Sequence, residues 1–288
     1  MPSEILNVAQ ITPHRLHSVV RLLARLGEAS REELCSLFQP PELIDNQDAV
    51  RAVLNAGQTL ELWKEHAGKL ALAAEPESIL PLPAFRVWLQ RKLLGVIDPD
   101  GDNYLLSMFA AWYAVQGAQI LTFGNKGELA ADFNQKIFPD QEGRAMNPTK
   151  ISGWEVWAAF LGWGWYGRVR GRTDAVLMPD AYDRLKPLLA ELLPTGPRTV
   201  PFGAFADRLR VHCPELDGGE LFEQCWQACR GGEVRGNRLS LMLSTALRSL
   251  DDDRSINLER QADATETWLL FPAQGHPVGH ITHIRNGG

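Results

Sequence analysis

Arg168, Arg170 and Arg172 alternate with Val169 and Gly171, just after Tyr166. On a strand or tight hairpin this spacing sends three guanidiniums from one face. Each is a permanently charged fork for phosphate or carboxylate oxygens. With Tyr166 beside them to hydrogen-bond or stack, the pattern suits the tracking of nucleic-acid phosphates. Each phosphate neutralised should steepen the log–log salt dependence of binding by about 0.9. The same arginines fit two other uses: contact with an acidic protein, or a solvated hairpin edge whose charges discourage strand pairing.

Two further sets of side chains have chemistry for nucleic acid. Gln47, Arg51 and Asn55 fall at i, i+4 and i+8 on the outer face of a helix predicted to begin near residue 45 or 46. Such side chains make bidentate contacts to base edges from a recognition helix, although any solvated helix face carries them too. Thr149 and Lys150 lie in the first turn of another predicted helix, where backbone N–H groups can hold a phosphate. A later helix carries Arg238, Ser240, Ser244 and Arg248 as polar residues, followed at once by Asp251-Asp252-Asp253. That acidic run would repel a phosphate backbone, so this region is expected to face protein.

Catalytic and metal chemistry find little support. The chain has no phosphate-binding glycine loop, nucleophile elbow or HExxH motif. Cys225 and Cys229, with His212 and Cys213 upstream, match no short zinc signature, and cysteines on an apolar stripe are core residues. His276, His280 and His283 lie in a Gly- and Pro-rich tail with no supporting shell. The expectation is a protein that is not an enzyme and takes no cofactor or metal.

These side chains need elements to hold them. Thr12-Pro13 starts a helix with Leu16, Val19, Val20 and Leu23 inward, Ser30 with Glu33 forms a capping box for a second, and residues 60–73 read as a hairpin. Three helices and a hairpin make a winged helix. Asn103, Asn125 and Asn147-Pro148 start three more helices, and Gly162 releases the chain into the hairpin that bears the arginines. Four of the nine tryptophans, Trp154, Trp157, Trp163 and Trp165, surround that release and are expected to form an aromatic core beneath the charged loop. A helix over 180–193 follows. A third pass begins with a helix opened by Thr199 and Pro201, and ends in strands over 256–261 and 267–271, with an extended tail from Pro272. The fold class is mainly α with short β-hairpins (α+β), arranged as tandem winged-helix units. Expected divisions are 1–78, a helical connector over 79–102, a central unit over 103–196 with the basic wing, and a C-terminal unit over 197–288.

Bulk properties bound the partners. With 29 basic and 35 acidic side chains in 288 residues, the net charge is −6, so no global positive field draws in nucleic acid and any contact must be local. The first residues have no basic, apolar leader pattern, and the uncharged run 103–125 is interrupted by polar residues and Gly117, which favours a buried helix over a membrane span. Four cysteines suit a reducing cytoplasm.

Ile5-Leu6-Asn7-Val8, Pro13-His14-Arg15-Leu16, and Phe160-Leu161-Gly162-Trp163-Gly164 leading to Val176-Leu177-Met178-Pro179-Asp180 carry a resemblance. The chain resembles the DpdG-like accessory proteins of bacterial anti-phage and 7-deazaguanine DNA-modification clusters. That resemblance implies a DNA-facing subunit working beside helicase, ATPase or nuclease partners. The acidic balance departs from a stand-alone DNA binder. A protein-interaction scaffold docking on a larger motor is the alternative, and a transcription regulator a further one.

Overall fold

The computed structural model describes residues 4–43, 46–94, 98–101, 103–139, 145–169, 171, 174–193, 199–273, 275 and 278–287. Arg170, Arg172 and His276 lie outside them. The chain opens with α1 (Glu4–Asn7) and α2 (Pro13–Leu26). Thr12 caps α2 by accepting from the Arg15 N–H, and Gly27 ends it at φ 77°, its N–H donating to Leu23 O. After β1 (Glu28–Ser30) come α3 (Arg31–Phe38) and α4 (Asp48–Thr59). Ser30 and Glu33 close the reciprocal capping box of α3. β2 (Trp63–His66) and β3 (Lys69–Leu72) form a hairpin whose turn residues Ala67 and Gly68 both have positive φ, the geometry that matches strand twist across a two-residue loop. β1, which sequence periodicity does not reveal, joins them in an antiparallel sheet ordered β1-β3-β2. Trp63 anchors this hairpin. It is fully buried, its indole donates to Leu54 O at 3.1 Å, and its ring occupies the space a Cβ on Gly57 would need.

α5 (Pro76–Ile79) and α6 (Leu82–Leu94) lead to α7 (Tyr104–Gln116), then α8 (Lys126–Ile137) and α9 (Pro148–Leu161). From Leu105 to Gln116 every side chain of α7 is buried, as expected of a helix apolar on all faces. Phe109 meets Phe133 of α8 and Trp154 of α9 at 4.9 and 4.7 Å between ring centroids. Among the described residues no helix is long and apolar enough to cross a membrane. β4 (Gly164–Arg168) and β5 (Ala175–Pro179) form the second hairpin. The single helix expected over 180–193 is instead α10 (Tyr182–Leu185), a 3-10 turn (Lys186–Leu188) and α11 (Leu189–Leu192). Pro187 lacks the N–H that a continuous helix would need there.

The last third departs most from expectation. Thr199–Pro201 is a strand, β6, and α12 (Phe202–His212) starts after it. α13 (Glu220–Arg230) packs along α7, and α14 (Leu241–Asp252) packs on α10. β7 (Ile256–Glu259) does not pair with the next strand, β8 (Trp268–Leu269). β8 pairs with β9 (His280–Ile281), while β10 (His283–Asn286) lies between β6 and β7. The tail is therefore structural: its final strand is the centre of a sheet ordered β6-β10-β7. Ser244 and Arg248, expected to face outward, are buried. Ser244 Oγ accepts from Phe271 N–H, and Arg248 donates to the carbonyls of Phe271 and Val278. One apolar core runs through all of these elements except β4.

Candidate nucleic-acid interface

The β4–β5 hairpin is positioned from below. Asn147 caps α9 by accepting from Lys150 N–H, with Pro148 in the first turn. Gly162 ends α9 in the left-handed region at φ 84°, and a Cβ there would lie 2.5 Å from Arg184 N. Both backbone angle and space thus require glycine. Trp163 then turns inward, fully buried, its ring stacked on Trp154 at 6.4 Å. Its indole donates to Glu215 Oε1 at 3.1 Å, and Arg184 Nε donates to the same oxygen at 2.8 Å. This buried ion pair joins the foot of the hairpin, α10 and the turn after α12. On the other strand Tyr113 O–H donates to Leu177 O at 2.5 Å. Trp157 is also buried, its indole donating to Ile11 O.

Above that base the hairpin is open. Trp165 is 54% exposed and Tyr166 47%, so Trp165 is not part of the aromatic core expected beneath the loop; its ring lies over Gly167. Alternation along β4 places Tyr166 and Arg168 on one face and Trp165 on the other. Burial of the hydroxyl, assisted by Glu155, pushes the Tyr166 pKa up to about 12, so the phenol, neutral at physiological pH in any case, stays a donor well into the alkaline range. Arg168 is exposed, with no ion pair to another described residue. Beside the hairpin is a groove of about 320 Å³ whose charged lining, among the described residues, is Lys126, Glu155 and Asp174. Lys126 is held by Glu155 at 2.6 Å and Ser152 at 2.9 Å. Among the described residues this lining carries two acids against one base.

The other expected contacts are more constrained. Thr149 is exposed in the first turn of α9, but Lys150 points its ammonium at Ala145 O, 2.7 Å away, and burial lowers its pKa. Gln47 is not on the face of α4. It precedes the helix as its N-cap residue, and its amide reaches back to Gln39 O. Arg51 is exposed on α4. Asn55 Oδ1 accepts from Arg31 Nη1 at 2.9 Å, while the same guanidinium reaches Gln58 and pairs with Glu65 at 3.1 Å. The structure thus brings Tyr166 and Arg168 together on one strand and leaves Arg51 on a separate helix. Arg184 and Glu215, which fix the hairpin's foot, do not stand out in the sequence; a lone arginine beside an apolar stripe is the only signal there.

Among the described residues no group of three His, Cys, Asp or Glu side chains is placed to hold a metal ion. No curated protein and no solved structure matches the chain. A family model described as DpdG-like matches residues 3–264, which is most of the 288. The chain therefore belongs to the DpdG-like family, whose members are accessory proteins related to the Dpd DNA-modification system.

Proposed function

We propose that this protein is a non-catalytic, nucleic-acid-binding accessory subunit of a DNA modification and restriction system, and that it contacts DNA through the β4–β5 hairpin acting as a wing. The observation that carries this reading is the pairing of a rigid foot with an open strand. Trp163 is locked to Trp154, Glu215 and the backbone below, while Tyr166 and Arg168 share a face beyond it. Arg170 and Arg172 continue the same alternation in the sequence. The helix order α2, α3, α4 with a sheet ordered β1-β3-β2 supports reading the first unit as a winged helix; the similar strand order β6-β10-β7 supports a tandem arrangement. Four free thiols suit a reducing cytoplasm.

The test is DNA affinity against salt for the wild type and for the triple variant Arg168→Ala/Arg170→Ala/Arg172→Ala. The wild type should show a steep log–log slope, shallower in the variant by about 0.9 for each phosphate that is no longer neutralised. Equal slopes in the two proteins would remove the hairpin from the interface.

A second reading is favoured by the state of α4. Asn55 and Gln58 already serve Arg31, so this helix is poorly supplied to read bases. On that reading the protein is a scaffold docked on a larger helicase, ATPase or nuclease, and it binds DNA only within the assembly. Flat, weak DNA binding by both proteins, together with a stable complex with such a partner, would favour it.

A further inference from the structure

A second site lies away from the hairpin, where the end of α7 meets α13 and the start of α14. The cavity there measures about 390 Å³, within the range of small-molecule sites, which are largely apolar with a few directed polar groups. One wall is aromatic: Phe222 and Trp226 stack 6.2 Å apart at 15°. Arg235 lies 5.0 Å above the Phe222 ring and Arg230 6.0 Å from that of Trp226. Arg235 is neutralised by Asp217 at 3.0 Å and Glu223 at 3.1 Å. Arg230 pairs with no described acid: it donates to neutral oxygens, those of Val115 and the Gln119 side chain. Arg238 is exposed on the cavity lining and pairs with no described acid. Glu233 is the one acidic residue in the lining among the described residues.

The start of α14 opens on the same space through Ser240 and Leu241. Asp217 holds Ser240 by its N–H and its hydroxyl, and Ser240 Oγ in turn accepts from Leu243 N–H. The first-turn N–H groups of Leu241 and Met242 stay outside this cap. An uncompensated guanidinium next to a helix start attracts an anion, and the planar Arg230 guanidinium, backed by the Trp226 ring, offers a surface on which a base can stack. The geometry points to a nucleoside phosphate as the ligand, its base against Arg230 on the Trp226 wall and its phosphate between Arg238 and the start of α14. Free nucleotides and the unpaired 5′-phosphorylated end of a DNA strand share that chemistry. This site goes beyond the hairpin reading and does not depend on it.

The test is calorimetric titration of the full chain with deoxynucleoside 5′-monophosphates, with a short 5′-phosphorylated single strand, and with inorganic phosphate. Saturable binding of either nucleoside ligand is expected, with the tighter one identifying the source. Arg238→Ala and Arg230→Ala should each weaken it about tenfold or more with the melting temperature of the apo protein held. Trp226→Leu should weaken the nucleoside ligands and leave inorganic phosphate unchanged. The hairpin triple variant should bind as the wild type does, so failure here is separable from failure of the wing. No saturable binding of either nucleoside ligand, affinity unchanged by both arginine substitutions, or inorganic phosphate binding as tightly as a nucleotide would each overturn the assignment.

Discussion

At the residue scale, the hairpin's foot rests on Glu215, a carboxylate with no solvent exposure. Its Oε1 accepts from Trp163 and Arg184, while Oε2 has no hydrogen-bond partner among the described residues. A buried charge of this kind is held by its counterion, so Arg184→Met should destabilise the fold by about 3–5 kcal/mol. The double variant Arg184→Met/Glu215→Leu should recover much of that loss, because it leaves no stranded charge. Urea unfolding measures both, and equal losses would contradict the assignment. A second prediction concerns pH. Although its partial burial works to raise the pKa, hydrogen bonds from Lys186 and Tyr182 hold Asp253 below the usual carboxylate range. Its stabilising contribution is therefore complete above the unfolded-chain value of about 3.9 and disappears as pH falls through the lower folded value. The melting-temperature difference between the wild type and Asp253→Asn should be constant from neutral pH down to about 4 and shrink below that. A difference that grows on acidification would reverse the sign and refute the linkage.

At the element scale, β10 is the strand on which the last sheet depends. Ile284 at its centre is fully buried and sits opposite Val200 and Leu258 on its two neighbours. Ile284→Ala should cost about 2–5 kcal/mol, against a change within about 0.5 kcal/mol for Val234→Ala at an exposed loop position. Thermal unfolding separates the two; similar small changes would show that the tail is dispensable. The same element explains what sequence could and could not reveal. Caps at Thr12, Ser30, Asn125 and Asn147 are legible because donor and acceptor lie within three residues. The hairpins β2–β3 and β4–β5 are legible because each closes on a local loop. β10 is not: its partners lie in the strands 256–259 and 199–201, and a Gly- and Pro-rich stretch disguises it. Ser244 and Arg248 read as outward polar residues because their partners, Phe271 and Val278, are supplied by that same distant segment.

At the scale of the whole molecule, α7 is the common support. It is buried on all faces, with α13 along one side and the aromatic rings of α8 and α9 on another, so the base of the hairpin and the cavity beside α14 share one rigid member. The protein as a whole is acidic, at −6, so general electrostatic attraction does not bring it to DNA; the proposed contact is a local one, at Arg168 and its neighbours. The candidate interface is legible as a pattern of arginines, while the exposure of Trp165 and the engagement of Gln47, Asn55 and Lys150 depend on packing that no local spacing encodes. Photocrosslinking to duplex DNA is the most direct test, with p-benzoylphenylalanine placed at Trp165 on the hairpin or, as control, at Val211 on α12, which is 74% exposed. Salt-sensitive crosslinking from position 165 well above that from position 211 is the predicted result; equal or weaker crosslinking from position 165 would contradict the hairpin as the DNA-facing element.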